Sequence, residues 1–187
     1  MDVRNSKFYL IQNFYGTVEL SEKILPLLAQ RGKIVSLGSG LGRITFQAIT
    51  NEDLKKRWRK AEASKKEIFD LVQEFEKDVE AGNEKQKGWP NDFFGNYGLS
   101  KLALTVYHSA LTKNEIVKNK EIQVYIACPG YVDTDMSDHQ GTLTIEEGTR
   151  TPVMLIESPF EVKKEWQGAF FSEQKKASIF DAWLSEL

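Results

Sequence analysis

The chain has 187 residues, of which 41% are hydrophobic and 28% are charged, a composition typical of one globular domain. Its formal net charge of −2 gives no electrostatic preference for nucleic acid or for an anionic membrane surface. A single cysteine, Cys128, excludes an internal disulfide and favours a reducing, cytoplasmic compartment. With only two histidines and no cysteine cluster, we expect no metal site. The opening residues MDVRNSKFYL lack the apolar core of a signal peptide, and no window approaches ~20 consecutive apolar residues, so we expect no membrane span.

The first half of the chain is predicted to be mainly helical around one strand. Residues 5 to 29 predict a helix, and the strand KIVSLG follows at residues 33 to 38. Residues 52 to 81 predict a charged amphipathic segment that stops at Gly82, and a further helix is expected from about Gly98 to Asn114. The apolar positions near helical spacing are Phe8, Ile11, Tyr15, Val18 and Leu25 in the first helix, and Leu54, Trp58, Ile68, Val72, Phe75 and Val79 in the amphipathic segment.

The second half alternates strand, helix and strand. The run IQVYIAC, residues 122 to 128, is short and β-rich, as expected of a strand buried on both faces. Thr144 with Glu147 three residues later forms a capping-box pattern that opens another helix. The piece GAFFSE, residues 168 to 173, is a last candidate strand, and His108 is expected on a helix surface. The alternation predicts an α/β fold with a parallel sheet.

A glycine-rich run follows the first predicted strand, with Gly38, Gly40 and Gly42 at alternate positions. A dinucleotide-binding turn requires G-x-G-x-x-G, followed about 20 residues later by an acidic residue after a second strand. Here the spacing is G-x-G-x-G, the sixth position is Arg43, and a charged helical segment takes the place of the second strand. Both the spacing of the glycines and the sequence that follows them argue against a phosphate-binding loop. A nucleotide or methyl-donor site at these glycines stays an alternative.

Three residues are candidates for acid/base chemistry. Tyr97 and Lys101 lie four apart at a predicted helix start and therefore share one face. A tyrosine has an ordinary pKa of about 10, and a nearby lysine cation lowers that pKa by favouring tyrosinate. Ser39 lies at the exit of the first strand, at the edge where open α/β sheets bind ligands. A surface helix pair and an ordinary turn serine are the simpler alternatives.

With QNFYGT, GKIVSLGS, YGLSK and ACPGYVDTDM in this order, the chain resembles the short-chain dehydrogenase/reductase family. The resemblance runs over nearly the whole chain. It identifies the family's catalytic Asn-Ser-Tyr-Lys tetrad as Asn13, Ser39, Tyr97 and Lys101. It further assigns cofactor contacts around the nicotinamide to Asn13, Tyr97, Lys101, Pro129, Gly130, Val132 and Thr134.

Within the family the chain is most similar to the monomeric carbonyl reductases, which carry a helical insertion between the catalytic serine and tyrosine. Residues 44–93 match that insertion, and KGWPNDFFGNYGLSK and EEGTRTPVMLI also resemble this group. The resemblance implies a single partial domain over residues 1–187, the C-terminal part of a Rossmann-like doubly wound parallel sheet of about three strands. Because the insertion covers the face that other members use for dimerisation, a monomer is expected for the full-length protein.

The implied activity is reduction of ketone, aldehyde or quinone carbonyls by NADPH, with NADH not excluded. In family terms, Tyr97 protonates the developing alkoxide and Ser39 hydrogen-bonds the carbonyl oxygen. Lys101 lowers the pKa of Tyr97 and binds the nicotinamide ribose, while Asn13 holds a water in a proton relay to Lys101.

The family's opening strand, its T-G-x-x-x-G-x-G turn and its N-N-A-G turn do not occur in this sequence. The resemblance therefore implies a truncated or incompletely predicted member without the adenosine-binding half. The strand at 33 to 38 is then expected to have a free edge, which invites pairing with another chain. A non-catalytic remnant that binds a partner through this edge is the alternative function.

Overall fold

A computed structural model describes residues 3–62, 64–90, 93–160 and 164–181. These residues form one four-stranded sheet with helices packed against it. The strands are β1 (Lys33–Leu37), β2 (Gln123–Cys128), β3 (Phe170–Ser172) and β4 (Lys175–Ala177). The helices are α1 (Val3–Tyr9), α2 (Gly16–Ile24), α3 (Gly40–Ala48), α4 (Glu52–Ala61), α5 (Lys65–Glu80), α6 (Glu84–Lys87), α7 (Phe93–Leu111), α8 (Glu115–Asn119) and α9 (Ile145–Glu157).

The sheet confirms the predicted α/β class and adds one strand. Its order is β1-β2-β3-β4, with β1, β2 and β3 parallel and β4 antiparallel to β3. The prediction of about three strands missed β4, because the three residues KKA carry no apolar alternation. Strand β2 is buried along its whole length, as expected. Leu37 pairs with Ala127, so the carboxyl ends of β1 and β2 lie side by side.

The N-terminal helical segment is continuous but not uniform. Residues Leu10–Tyr15 form a π-helical turn between α1 and α2. This wider turn changes the buried face, because Leu10 and Phe14 are fully buried while the predicted apolar positions Phe8 and Ile11 are more than half exposed. The prediction of a helix is therefore confirmed, but its bounds differ, because the structure is helical from Val3 to Ile24 and continues as a 3-10 turn over Leu25–Leu27. The predicted apolar positions Phe8 and Ile11 were wrong.

The charged amphipathic segment is two helices, α4 and α5, where one segment was predicted. The new helix starts at Ser64, whose Oγ accepts a hydrogen bond of 3.3 Å from the Glu67 N–H. Arg57 of α4 joins the two helices by ion pairs of 2.7 Å to both Glu67 and Glu74. The segment ends at Gly82, which adopts a positive φ of 68°, and all six predicted apolar positions are buried.

Helix α7 crosses the centre of the molecule and contacts α3, α5 and β2. It begins at Phe93, earlier than the predicted Gly98, so Tyr97 and Lys101 both lie inside the helix. The prediction that His108 lies on a helix surface is wrong, because its side chain is 1% exposed. The capping box of Thr144 and Glu147 at the start of α9 is present as predicted. Within the described ranges, no helix is long and apolar enough to cross a membrane.

Candidate active site

The site is built on an unusually close contact between α3 and α7. A Cβ atom on Gly98 of α7 would lie 1.8 Å from Thr45 Oγ1 and 2.8 Å from the Leu41 carbonyl oxygen. A Cβ on Gly42 of α3 would lie 2.8 Å from the Leu102 backbone nitrogen. Neither helix has space for a side chain at these positions. Part of the glycine-rich run therefore serves helix packing, since Gly42 faces α7.

Ser39 is the N-cap residue of α3 and lies directly beyond the end of β1. Its Oγ accepts a hydrogen bond of 3.1 Å from the Leu41 N–H, which uses one lone pair of the oxygen. The hydroxyl proton remains available, and the Ser39 side chain is hydrogen-bonded to Tyr97. The cap thus holds the serine hydroxyl at the start of α3, near enough to Tyr97 to affect its pKa.

Tyr97 and Lys101 occupy one face of α7, as the four-residue spacing predicted. The Lys101 Nζ lies 5.7 Å from the centre of the Tyr97 ring and donates a 3.0 Å hydrogen bond to the Leu37 carbonyl oxygen. Burial raises the pKa of Tyr97, and the hydrogen bond from Ser39 partly offsets that rise. Burial also lowers the pKa of Lys101. The expectation that Lys101 depresses the pKa of Tyr97 is therefore not met: the pKa is raised, chiefly by desolvation of the phenol, and Ser39 is the group that lowers it.

Asn13 reaches the site through a second polar residue. It lies in the π-helical turn, and its Nδ2 donates a 3.0 Å hydrogen bond to Ser100 Oγ. Ser100 is fully buried, and its hydroxyl donates in turn to the Tyr97 carbonyl oxygen at 2.7 Å. Asn13 is thereby linked to the backbone of α7 at the tyrosine. The sequence analysis did not single out Ser100, although its position three residues after Tyr97 places it on the adjoining face of the helix.

Cys128 ends β2 beside these groups. It is buried, as predicted for a small apolar residue, and its Sγ accepts a 3.2 Å hydrogen bond from the Gly40 N–H. The thiol is also close enough to influence both Tyr97 and Lys101 electrostatically. The sequence signal for this proximity is the position of Cys128 at the end of a strand parallel to β1.

The loop after β2 carries the remaining predicted residues. Gly130 adopts a φ of 85°, a left-handed conformation that favours glycine, and a Cβ there would lie 2.5 Å from Leu143 Cδ1 at the end of that side chain. Val132 forms an isolated parallel bridge with Leu143. The Thr134 N–H donates to Ser137 Oγ at 3.0 Å and caps a 3-10 turn. Pro129 follows Cys128 directly, so this loop leaves the sheet at the edge that also carries Ser39.

The donor set fits one half of a nicotinamide cofactor. Two hydroxyls and one half-buried ammonium, from Ser39, Tyr97 and Lys101, meet where two parallel strands end, and this chemistry suits a ribose and a polar carbonyl. Gly42, in contrast, faces protein atoms and leaves no open backbone cradle for a phosphate. These side chains therefore fit the nicotinamide riboside, and the part of the chain that the structure describes supplies no glycine turn for the pyrophosphate.

Comparison with known proteins gives a consistent set of relatives. No family model matches the chain. It is 30% identical over 167 residues to Carbonyl reductase (NADPH) 1 of Mus musculus, covering 87% of this chain and 58% of that protein. It is 34% identical over 151 residues to Carbonyl reductase (NADPH) 3 of Rattus norvegicus, covering 79% of this chain and 52% of that protein. The chain thus spans about half the length of the curated relatives it matches.

Solved structures agree with the sequence relatives. Salutaridine reductase from Papaver somniferum superposes with a TM-score of 0.77 at 27% identity, over 89% of this chain and 54% of that one. Menthone neomenthol reductase from Mentha piperita superposes with a TM-score of 0.71 at 26% identity, over 93% of this chain and 53% of that one. The resemblance inferred from the sequence motifs is confirmed over the length that the chain shares with these reductases.

Proposed function

We propose, from the premise that the chain belongs to the short-chain dehydrogenase/reductase family, that it carries the catalytic groups of an NADPH-dependent carbonyl reductase. The observation that carries the proposal is the convergence of Ser39, Tyr97 and Lys101 where β1 ends. Lys101 Nζ lies 5.7 Å from the centre of the Tyr97 ring and donates to the Leu37 carbonyl oxygen at 3.0 Å. Ser39 is close enough to Tyr97 for its hydroxyl to lower the pKa of the phenol. The relatives' printed names, which include NADPH and carbonyl reductase, support the cofactor and the substrate class.

The proposed role of Tyr97 is to donate a proton. Because burial raises its pKa, the phenol stays protonated at neutral pH, as a general acid in a reduction requires. The bound cofactor supplies the hydride that reduces the carbonyl carbon. The Ser39 hydroxyl donates to the carbonyl oxygen, where negative charge develops, and Tyr97 protonates that oxygen. The substrate is a ketone, aldehyde or quinone.

The proposed roles of Lys101 and Asn13 are supporting ones. The Lys101 ammonium lies beside the Tyr97 ring and within reach of hydroxyls bound at the end of β1, so it can bind the nicotinamide ribose. Asn13, which is linked to α7 through Ser100, holds the helix turn from which a water relay to Lys101 would start. Pro129, Gly130, Val132 and Thr134 would contact the nicotinamide and its carboxamide from the loop after β2.

The helices between Ser39 and Tyr97 support a monomeric state. Residues 44–93 form the proposed insertion, in which α4 and α5 both contact α7. They cover a face of α7 that would otherwise be available to a second subunit. The proposed boundary at residue 44 lies inside α3, because that helix spans Gly40–Ala48. A cytoplasmic location remains a prediction from the single cysteine.

The function is tested with the purified chain, NADPH and a quinone. We expect NADPH fluorescence to change on binding, and quinone-dependent loss of NADPH absorbance to fall by roughly 10²–10⁴-fold in Tyr97→Phe while cofactor binding persists. Tyr107→Phe is the matched control, because its hydroxyl lies further along the same helix and contacts Glu22 at 3.3 Å. Absence of NADPH binding at millimolar cofactor, or equal turnover in Tyr97→Phe and wild type, would contradict the proposal for this chain.

A second candidate function is association with a partner through β1. Within the described residues, β1 pairs only with β2, so its outer edge carries unpaired backbone groups. Leu37 at the end of this strand is 53% exposed, and the N-terminal helices also expose Phe8, Ile11, Leu20 and Leu27. Light scattering across a concentration series is expected to show assemblies that Leu37→Lys weakens. If the purified chain alone is a monomer of 21.4 kDa at every concentration, that result would contradict this candidate.

A further inference from the structure

Tyr9, the last residue of α1, stands against the proposed catalytic tyrosine. The ring centres of Tyr9 and Tyr97 are 5.5 Å apart and their planes meet at 84°, an edge-to-face contact. Such pairs are favourable beyond the area they bury, because the positive edge of one ring meets the negative face of the other. This contact depends on ring orientation, so it restrains how the Tyr97 side chain is turned.

The helix that carries Tyr9 also carries Asn13, four residues later across the π-helical turn. Both residues face α7. Tyr9 contacts Tyr97, and Asn13 donates its hydrogen bond to Ser100. The same segment therefore holds α7 at two neighbouring points, one on the tyrosine ring and one beside the tyrosine backbone.

The Tyr97 ring is thus enclosed by groups of different kinds. Lys101 Nζ lies 5.7 Å from the ring centre, and Ser39 bonds the hydroxyl. Tyr9 supplies the aromatic contact. Burial is the main cause of the raised pKa of Tyr97.

We propose that Tyr9 is a positioning residue that holds the Tyr97 phenol towards Ser39 and shields it from water. The role rests on the proposed reductase function, in which a displaced phenol loses its alignment with the carbonyl oxygen. This role requires no contact of Tyr9 with the substrate carbonyl. Its effect is exerted only through the orientation and protonation of Tyr97.

The first test does not require cofactor. The chain is labelled with ¹³Cζ-tyrosine, and the Tyr97 resonance, assigned by its loss in Tyr97→Phe, is titrated with pH. We expect the pKa of Tyr97 to fall in Tyr9→Ala, because water reaches the ring, and to fall less in Tyr9→Phe, because the ring contact remains. Tyr15→Phe is the control, since that phenol donates to Glu76 at 2.7 Å and packs on Phe69, away from the site.

A Tyr97 titration that is identical in wild type, Tyr9→Ala and Tyr9→Phe would overturn the proposal. If Tyr9→Ala does not fold by circular dichroism, Tyr9→Leu is titrated in its place, because leucine keeps an apolar side chain but removes the ring. A Tyr97 titration identical to that of the wild type in folded Tyr9→Leu would then overturn the proposal.

The second test measures NADPH-dependent turnover. We expect Tyr9→Ala to lower kcat roughly tenfold with the KM for NADPH unchanged, and Tyr9→Phe to restore kcat. Equal losses of kcat in both variants would show that ring packing is not the cause and would overturn the positioning role. A chain without any NADPH turnover contradicts the proposed function alone, because the titration still decides the role of Tyr9.

Discussion

Helix α7 makes two contacts that are built in different ways. Its N-terminal half meets α3 at Gly42 and Gly98, where backbone approaches backbone and no side chain fits. It also packs against α4 and α5, in a core cluster that includes the large, fully buried side chains Trp58 and Phe75. The glycine contact sets the distance between Ser39 and Tyr97, whereas the side-chain layer buries the area that stabilises the fold. Alignment of the site and stability of the chain should therefore respond to different substitutions.

The largest effect is expected from Trp58→Ala in the side-chain layer. Removing a fully buried tryptophan should lower the free energy of unfolding by about 3–5 kcal/mol, as measured by urea denaturation. In the fraction that remains folded, the Tyr97 pKa should be that of the wild type, because the α3 contact is untouched. A loss below about 1 kcal/mol, or an altered Tyr97 titration, would contradict the separation of the two contacts.

The next effect concerns His108, which lies on the same helix and is 1% exposed. Its Nδ1 donates to the Leu104 carbonyl oxygen at 3.0 Å, and burial lowers the pKa of His108 from 6.5 to about 4. The unfolded chain therefore binds a proton between these values and the folded chain does not. Stability should be constant above pH 6.5 and fall as the pH decreases towards 4, by up to about 3 kcal/mol.

This acid sensitivity is measured by urea unfolding at pH 7 and pH 5. The variant His108→Leu removes the titrating group and should show a smaller loss between the two pH values than the wild type. Equal losses in the two proteins would mean that His108 takes up a proton in the folded state as readily as in the unfolded chain.

Gly98→Ala is expected to destabilise the fold less than Trp58→Ala does, but to change the pKa of Tyr97 more. The added Cβ would lie 1.8 Å from Thr45 Oγ1, so α3 must move away from α7, at a cost of about 1–3 kcal/mol. Ser39 moves with α3, and the pKa of Tyr97 should rise further when its hydrogen bond is lost.

The control for this variant is Gly82→Ala at the end of α5. Its φ of 68° disfavours alanine by about 1–2 kcal/mol, but no atom lies within 4 Å of the added Cβ. We therefore expect comparable destabilisation with no change at Tyr97. If Tyr97 titrates identically in both alanine variants, the contact between α3 and α7 does not determine the pKa of Tyr97.

How far the sequence predicted this arrangement depends on the range of each interaction. Strands β1 and β2 and the cap at Thr144 were predicted correctly, because apolar runs and capping pairs are local signals. Tyr97 and Lys101 were placed on one face for the same reason. The π-helical turn was missed, because one extra residue in a helical turn leaves no compositional trace.

The contacts across the chain were harder to predict. Gly42 and Gly98 belong to helices far apart in sequence, and no local pattern in either helix predicts that the two are in contact. The burial of His108 has the same origin, because it depends on what covers α7. The raised pKa of Tyr97 also follows from burial, which the spacing between Tyr97 and Lys101 does not show.

The most direct test of the central claim, that the α3 contact brings the Ser39 hydroxyl onto Tyr97, is the titration of ¹³Cζ-labelled Tyr97 in Ser39→Ala. The Ser39 hydrogen bond lowers the pKa of Tyr97 against the rise caused by burial. Removal of the hydroxyl should therefore raise that pKa above its wild-type value. An unchanged titration in folded Ser39→Ala would contradict the account, because the two side chains would then not be in contact.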